Sequence, residues 1–365
     1  MKVALLGAGR IGQLHARHLA LAPSVTELLV ADAEPARAVA LANETGATAL
    51  ATPDEGLERA DAVVIAAATD AHAPLVRAAL DRAIPIFCEK PLALELDETA
   101  ELVERVEAAG TPLQLGFQRR FDAGYREARR LVESGALGTL YAFRLATHDP
   151  EPPHETYIPA SGGIFRDLAI HDFDIIRWLS GAEVEEVYAA GGVVAFDVFA
   201  RYGDVDTAVA SLRLSSGSLG VLTAARHDPR GYDVRAELFG SRDSVAVGLG
   251  PRAPIRSLER GVPPPEGPAW RNFLVRFESA YRDEIAAFLR VAKGEIDSPC
   301  TARDGLEAMR IAVAATRSLE EHRLVPLAEV DANRAERGRE GDQGRRLDRH
   351  SRPAEEGTWQ IRDNQ

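Results

Sequence analysis

The sequence predicts an α/β protein, with a doubly wound parallel sheet followed by an α+β domain built on a large, mostly antiparallel open sheet. Two observations predict this fold class. Apolar strands alternate with helices up to about residue 120, and consecutive strands joined by short turns follow in the second half. We therefore place domains at residues 1–120 and 121–330, and we predict a disordered charged tail at 331–365.

Composition limits the partners of the protein. The chain has 365 residues, of which 45% are hydrophobic and 27% charged, as in globular proteins. The net charge of −13 argues against nucleic-acid and membrane-surface partners. Two cysteines, Cys88 and Cys300, give neither a disulfide framework nor the spacing of metal ligands, so no metal is predicted. The chain opens on a strand rather than on a signal peptide, and we expect a cytoplasmic protein.

The first strand, residues 3–6, leads directly into the glycine turn Gly7-Ala8-Gly9-Arg10-Ile11-Gly12 and then into a helix from 13 to 21. In this context G-x-G-x-x-G indicates a dinucleotide-binding Rossmann domain. The first glycine permits the turn, the second lets a pyrophosphate approach the backbone, and the third lets helix and strand pack closely. The alternative is a turn of the same shape that binds no phosphate.

Asp32 ends the second strand, 20 residues after Gly12. A carboxylate at this distance accepts hydrogen bonds from a ribose 2′-hydroxyl and repels a 2′-phosphate, which favours NAD over NADP. No arginine follows Asp32 directly, and Arg37 is the one residue that could reverse the preference.

Strands and helices continue to alternate, with helices expected at 36–45, 72–83 and 96–109 and strands at 61–67, 85–88 and 112–117. Ligands of such sheets bind at the carboxyl ends of the strands. Thr69, His72, Glu89 and Lys90 follow such ends, and we take them as cofactor contacts. His72 could instead cap its helix. Lys90 could simply face solvent, but at the cofactor edge it would stabilise negative charge on a substrate oxygen.

In the second domain we expect a sheet with helices to one side. Strands are predicted at 138–147, 184–194, 205–214, 218–227, 233–239 and 244–247, and helices at 122–134, 275–292 and 303–322. The open face of such a sheet usually needs a cover, which favours a homo-oligomer.

Residues 162–179 are predicted to form one helix, since apolar residues recur at helical spacing. Asp167 and His171 would then lie one turn apart on one face, where the carboxylate could orient the imidazole for proton transfer. Taken alone, the same spacing also fits an ordinary surface ion pair.

Three groups of residues, in this order, resemble those of the glucose–fructose oxidoreductase / inositol dehydrogenase / MocA family. They are the glycine turn, the segment Glu89-Lys90-Pro91, and Asp167 with His171 after Ser161-Gly162-Gly163. Within that family, residues 116–122, 161–165 and 170–174 look most like the inositol 2-dehydrogenases.

The resemblance implies a catalytic set of Lys90, Asp167 and His171. It also implies that Arg119, His148 and Tyr232 line the substrate pocket, with Asp172 as a further candidate, and it suggests a tetramer. His148 could equally end its strand in solvent, and Tyr232 could only pack on the sheet. Arg119 and Arg120 would point apart in an extended segment, so we expect only Arg119 to reach the pocket.

The resemblance further implies NAD-dependent oxidation of a small cyclic polyol, with myo-inositol converted to 2-keto-myo-inositol (scyllo-inosose). His171 would take the hydroxyl proton and Lys90 would stabilise the alkoxide. The alternatives are scyllo-inositol, chiro-inositol or an aldose, possibly with NADP, and a non-catalytic NAD-binding sensor.

Overall fold

The computed structural model describes residues 1–332, so the predicted tail lies largely outside the described residues. Met1–Leu327 forms one compact unit with two sheets. The first sheet has six parallel strands in the order β3-β2-β1-β4-β5-β6. These strands are β1 Lys2–Leu6, β2 Glu27–Ala31, β3 Thr48–Ala49, β4 Ala62–Ile65, β5 Ile86–Glu89 and β6 Leu113–Gly116.

Helices connect these strands as predicted for a doubly wound sheet. They are α1 Arg10–Leu21, α2 Pro35–Thr45, α3 Pro53–Arg59, α4 Thr69–Leu80 and α5 Leu96–Ala109. Neither β3 nor α3 was predicted, and these elements are only 2 and 7 residues long. The α3 helix is nevertheless well specified locally, because Thr52 accepts a hydrogen bond from the Glu55 N–H and Pro53 occupies the first turn.

The second sheet has seven strands in the order β12-β11-β7-β10-β9-β8-β13. All its pairs are antiparallel except β10 with β7, so the prediction of a mostly antiparallel sheet is confirmed. Its strands are β7 Leu140–His148, β8 Val184–Gly192, β9 Thr207–Leu214, β10 Leu219–Ala225, β11 Asp233–Gly240, β12 Ser244–Val247 and β13 Val325–Pro326.

The remaining helices pack mainly on one face of this sheet and against the first sheet. They are α6 Ala123–Glu133, α7 Ile164–Asp167, α8 Ile170–Ser180, α9 Phe273–Arg276, α10 Glu278–Ala292 and α11 Ala302–Glu321. One of them crosses the predicted domain boundary, because Ile285, Phe288 and Leu289 of α10 belong to the buried apolar cluster of the first sheet. Among the described helices, none combines the length and the apolar composition that a membrane crossing requires.

The single helix predicted over 162–179 is wrong, because the chain forms α7 and α8 with a break at Leu168 and Ala169. The Ala169 N–H bonds the Ile164 carbonyl, five residues back, instead of the usual four. Apolar side chains are buried on both sides of the break, so their spacing did not reveal it. Asp167 and His171 therefore belong to two different helices.

The extended conformation expected around Arg119 and Arg120 is wrong, although the two side chains do diverge. The expectation that only Arg119 reaches the pocket stays a prediction. Gln118–Phe121 forms a 3-10 helix, in which neighbouring side chains diverge by about 120° rather than alternate. Both arginines are buried, and each meets an aspartate of α8. Arg119 Nη1 lies 2.7 Å from Asp172 Oδ1, and Arg120 Nε lies 2.9 Å from Asp174 Oδ2.

We expect Arg120→Ala to lower the free energy of unfolding by about 3–5 kcal/mol, because it leaves the buried Asp174 charge without its partner. Urea unfolding measures the loss. Arg17→Ala is the control, since Arg17 pairs with Glu44 at the surface, and it should change the midpoint little. Equal losses in both variants would contradict this account of the pair.

Candidate active site

The glycine turn has the geometry that a dinucleotide needs. Gly7 has φ of +110°, and a Cβ at Gly7 or Gly12 would overlap backbone atoms of Ala66 or of Gly7. Gly9 is different, because a Cβ there would meet no atom within 4 Å. No side chain caps the first turn of α1, which leaves its N–H groups open toward the space beside Gly9. These residues fit a bound pyrophosphate, with Arg10 and Ile11 opening the helix.

Asp32 follows β2 and is held from two sides. Its Oδ2 accepts a hydrogen bond from the Ala8 N–H at 2.6 Å, and its Oδ1 accepts one from the Glu34 N–H at 2.8 Å. Arg37 pairs with Glu34 at 2.8 Å rather than with Asp32. The carboxylate is thereby fixed at the edge of the glycine turn, where the sequence predicted the ribose contact.

Two predicted cofactor contacts have other partners. His72 is 1% exposed, and its ring nitrogens lie 2.8 Å from the Pro91 carbonyl and 3.1 Å from the Ala67 carbonyl. Glu89 Oε1 lies 2.6 Å from His15 Nε2. His72 therefore ties together the loops that follow β4 and β5, and Glu89 ties β5 to α1. Their predicted contacts with the cofactor stay predictions. Thr69 is the first residue of α4 and is partly exposed.

Lys90 and Asp167 meet where the two sheets adjoin. Lys90 Nζ donates to the Asp167 backbone carbonyl at 2.8 Å and lies 3.5 Å from the Asp167 carboxylate. The two carboxylate oxygens have further donors, Tyr157 at 2.9 Å and Arg226 Nη1 at 2.7 Å. The short helix α7 presents Asp167 in this position, because Asp204 Oδ1 accepts the Ile164 N–H at 3.0 Å and fixes its first turn.

This arrangement keeps Asp167 ionised. Burial alone would raise the pKa of its carboxyl, but the charges of Lys90 and Arg226 and the hydrogen bonds from Arg226 and Tyr157 hold the pKa below its usual value. Asp149, which lies 3.9 Å from Arg226, shows the opposite balance, since burial raises its pKa to about 6. The site thus holds one fixed carboxylate and one that titrates near neutrality.

His171 lies on α8 with its ring edge-on to Phe117, at 5.7 Å between centroids. Burial, with the charges of Lys90 and Arg119, lowers its pKa well below the usual value, so the imidazole is neutral at pH 7. Within the described part of the chain, Nδ1 has no hydrogen-bond partner and Asp167 makes no hydrogen bond to the ring. The predicted role of Asp167 in orienting His171 therefore stays a prediction.

The predicted substrate residues divide into two groups. Arg119 is 1% exposed and bonds Asp172 and Thr147, so the Asp172 carboxylate is engaged by this pair. The contact of Asp172 with a substrate stays a prediction. Tyr232 is buried, and its pKa is raised by that burial, near the charges of Arg119 and Asp149.

His148 points to the opposite face of the sheet from Thr147. Its Nε2 lies 3.0 Å from Thr223 Oγ1, and its Nδ1 lies 3.8 Å from Asp233 and 4.0 Å from Asp228. The structure therefore brings Lys90, Asp167 and His171 to one place, and it turns His148 toward a separate acidic pair.

Three residues near Asp167 were not predicted from the sequence. Tyr157 and Arg226 contact Asp167 directly, and Asp149 lies beside Arg226. Arg226 lies 59 residues after Asp167, just past the end of β10, and no motif spacing marks it. The available signal was positional, because both Asp149 and Arg226 follow the ends of the paired strands β7 and β10.

Comparisons with known proteins match both halves of the chain. Residues 1–117 match the oxidoreductase family with an NAD-binding Rossmann fold, and residues 125–246 match the GFO/IDH/MocA C-terminal domain. Among curated relatives, myo-inositol dehydrogenase Hyg17 of Streptomyces leeuwenhoekii is 43% identical over 87% of this chain and 97% of its own. Myo-inositol 2-dehydrogenase of Thermotoga maritima is 36% identical over 90% of this chain and 99% of its own.

A solved structure supports the same assignment. Scyllo-inositol dehydrogenase from Lactobacillus casei, with bound NAD(H) and scyllo-inositol, superposes with a TM-score of 0.80 at 28% identity. The match covers 90% of this chain and 99% of that one. These comparisons confirm the predicted family, the fold class and NAD as the cofactor.

We expect Arg226→Met to move the acid limb of the kcat/KM profile to higher pH by about 1 unit or more, because loss of this positive charge raises the pKa of both Asp167 and Asp149. NADH formation across a pH series measures the shift. Arg213→Met, which removes an exposed arginine of β9, should leave the profile in place. An unmoved acid limb in Arg226→Met would show that neither Asp167 nor Asp149 sets it.

Proposed function

The chain belongs to the GFO/IDH/MocA family of NAD-binding oxidoreductases, and we propose that it oxidises a cyclic polyol, most favourably myo-inositol, to 2-keto-myo-inositol (scyllo-inosose). One observation carries the proposal. Lys90, held by Asp167 and beside the neutral His171, stands at the carboxyl end of β5 on the cofactor edge of the parallel sheet. This is where a reacting hydroxyl would lie against the nicotinamide.

We propose that these three side chains divide the work of one alcohol oxidation. The glycine turn and Asp32 would hold NAD, which would supply the hydride acceptor for the carbinol carbon. His171 takes the hydroxyl proton, since its imidazole is neutral at pH 7. Lys90 stabilises the negative charge that develops on the substrate oxygen, and Asp167 balances the charge of Lys90. Tyr157 and Arg226 act through Asp167 by holding its carboxylate in place.

The polarity of the pocket supports a polyol substrate. Asp149, Arg119 and Tyr232 interact electrostatically with one another, and Asp149 also interacts with Lys90 and Asp167. Such a set of donors and acceptors can form hydrogen bonds with several hydroxyl groups of one substrate. His148 remains a proposed substrate contact at the end of β7. Scyllo-inositol is the main alternative substrate, because the Lactobacillus casei relative binds it. Chiro-inositol, an aldose and the use of NADP remain further alternatives.

We also propose that the protein is a cytoplasmic homo-oligomer, with a tetramer as the state that the family suggests. Both cysteines are buried free thiols, which suits a reducing compartment. The face of the second sheet that the helices leave uncovered exposes Tyr188, Val209 and Leu219 at 43%, 45% and 50%, and a second copy of the chain could cover them. The division into two domains at residue 120 likewise remains a proposal.

The direct test is NADH formation by the purified protein with a panel of myo-, scyllo- and chiro-inositol and common aldoses, with NADP in parallel. We expect the highest kcat/KM with myo-inositol and NAD, because the cyclitol hydroxyls match the polar groups around Lys90. Activity confined to an aldose would overturn the substrate assignment, and no turnover despite bound NAD would favour a sensor.

The control for this panel is His171→Ala, which removes the proposed base. We expect kcat to fall by about 10²–10⁴-fold while NAD binding, followed by fluorescence titration, persists. Full activity in this variant would rule out the proton-transfer role of His171.

A separate prediction concerns cofactor choice. Asp32→Ala should lower the ratio of kcat/KM for NAD over NADP by about tenfold or more, because it removes the charge that repels a 2′-phosphate. Arg37→Ala, a change at an exposed residue paired with Glu34, should leave the ratio close to that of the wild type. An unchanged ratio in Asp32→Ala contradicts the role given to the carboxylate.

A further inference from the structure

A second group of ionisable side chains joins α1, β5 and α10. His15 of α1, Glu89 of β5 and Glu284 of α10 are 0%, 9% and 0% exposed. His15 Nε2 and Glu89 Oε1 are 2.6 Å apart. One nitrogen of His15, one oxygen of Glu89 and one of Glu284 all lie within 4.8 Å of one another. The proposed reaction does not use Glu284.

The hydrogen bonds of this group are incomplete. Among the described residues, neither carboxyl oxygen of Glu284 has a partner, nor does Oε1 of the neighbouring Gln114, whose amide donates to the Glu284 backbone carbonyl. Each buried acceptor without a donor destabilises the folded state by about 1–3 kcal/mol. A proton on one of the carboxyl groups would provide a donor within the group.

The charges around Glu284 disfavour its ionised form. Glu89 faces it from β5, His15 from α1, Tyr281 from its own helix and Cys300 from the segment before α11. Within the described residues, none of these facing groups is a lysine or an arginine. Burial, with repulsion from Glu89, raises the pKa of Glu284 well above its usual value. If Glu284 is protonated, it no longer repels the negative charge of Glu89, and its hydroxyl can donate a hydrogen bond.

We propose that Glu284 carries a proton shared with Glu89, and that the resulting carboxyl pair, with His15, positions the loop that begins at Lys90. Glu89 is the residue before Lys90, and His15 follows Gly12 by one helical turn, so the pair ties the catalytic lysine to the cofactor turn. Gly116 of β6 supports the same geometry, because a Cβ there would come within 2.9 Å of Glu89 Oε2.

A bound cation is the competing explanation of the same three side chains. The proton is favoured because the rings of Phe87 and Tyr281 pack edge-on to His15, at 5.3 and 5.8 Å between centroids, and leave an apolar wall around the group. A divalent ion with three protein ligands would need further oxygen or nitrogen ligands, whereas one proton needs only the two carboxyls.

The proton can be tested with Glu284→Gln, which is permanently neutral and close in shape. Because the pKa of Glu284 is raised on folding, its stabilising contribution is complete below the unfolded pKa of about 4.3 and is lost as the pH rises toward the folded pKa. We therefore expect the folding equilibrium constant of the variant, relative to the wild type, to rise at least about tenfold between pH 5 and pH 8.

The matched control is Glu278→Gln, at an exposed glutamate in the first turn of the same helix, for which the ratio should stay flat. A flat ratio for Glu284→Gln as well would overturn the shared proton. Metal analysis of the purified wild type is a second test, because one equivalent of metal that is lost in Glu284→Gln would establish the cation instead.

The positioning role rests on the proposed function of Lys90, and it is measured separately. We expect Glu284→Gln to keep kcat within about twofold of the wild type, because it still donates a hydrogen bond, and Glu284→Leu to lose at least about tenfold. Equal kcat in both variants would overturn the positioning role while leaving the stability result valid. Failure of inositol turnover in the wild type would instead count against the proposed function, since the unfolding experiment uses no substrate.

Discussion

The Asp167 carboxylate is the contact on which the arrangement of the site depends. It brings together Lys90 from the end of β5, Tyr157 from the 3-10 helix Glu155–Ala160, and Arg226 from beyond the end of β10. These three donors come from segments that are distant in sequence, and one belongs to the parallel sheet while another follows a strand of the second sheet. A buried carboxylate without such donors would be unfavourable, so its pairing couples the packing of the two sheets to the ionisation of the site.

The sequence was sufficient to predict the order of the main strands and helices, because buried parallel strands and alternating strands differ in their apolar pattern. It was insufficient where the local conformation departs from a regular period. The break after Leu168 separates two helices that are both buried, so no change in hydropathy accompanies it. In the 3-10 helix at 118–121, the side chains of Arg119 and Arg120 diverge by about 120°. In an extended segment they would point to opposite faces.

The candidate site was predictable to the extent that its residues follow strand ends or belong to local motifs. Lys90 and the glycine turn meet this condition, and the spacing of Asp167 and His171 made them candidates that the family resemblance then supported. The contacts that those residues make were not predictable in the same way. Arg226 meets Asp167 only because β10 runs parallel to β7 and ends beside it, and pairing between strands about 75 residues apart leaves no short-range signal in the sequence.

The helix α10 has a consequence for how the protein is made. All six strands of the first sheet have been synthesised at Gly116, but the apolar residues that close its core, Ile285, Phe288 and Leu289, arrive only 169 or more residues later, from 116 to 285. During translation the nascent nucleotide-binding half therefore lacks the apolar side chains that cover this part of its core. For the same reason, a gene fragment that stops after β6 encodes all six strands but lacks the α10 side chains that complete the core of the sheet.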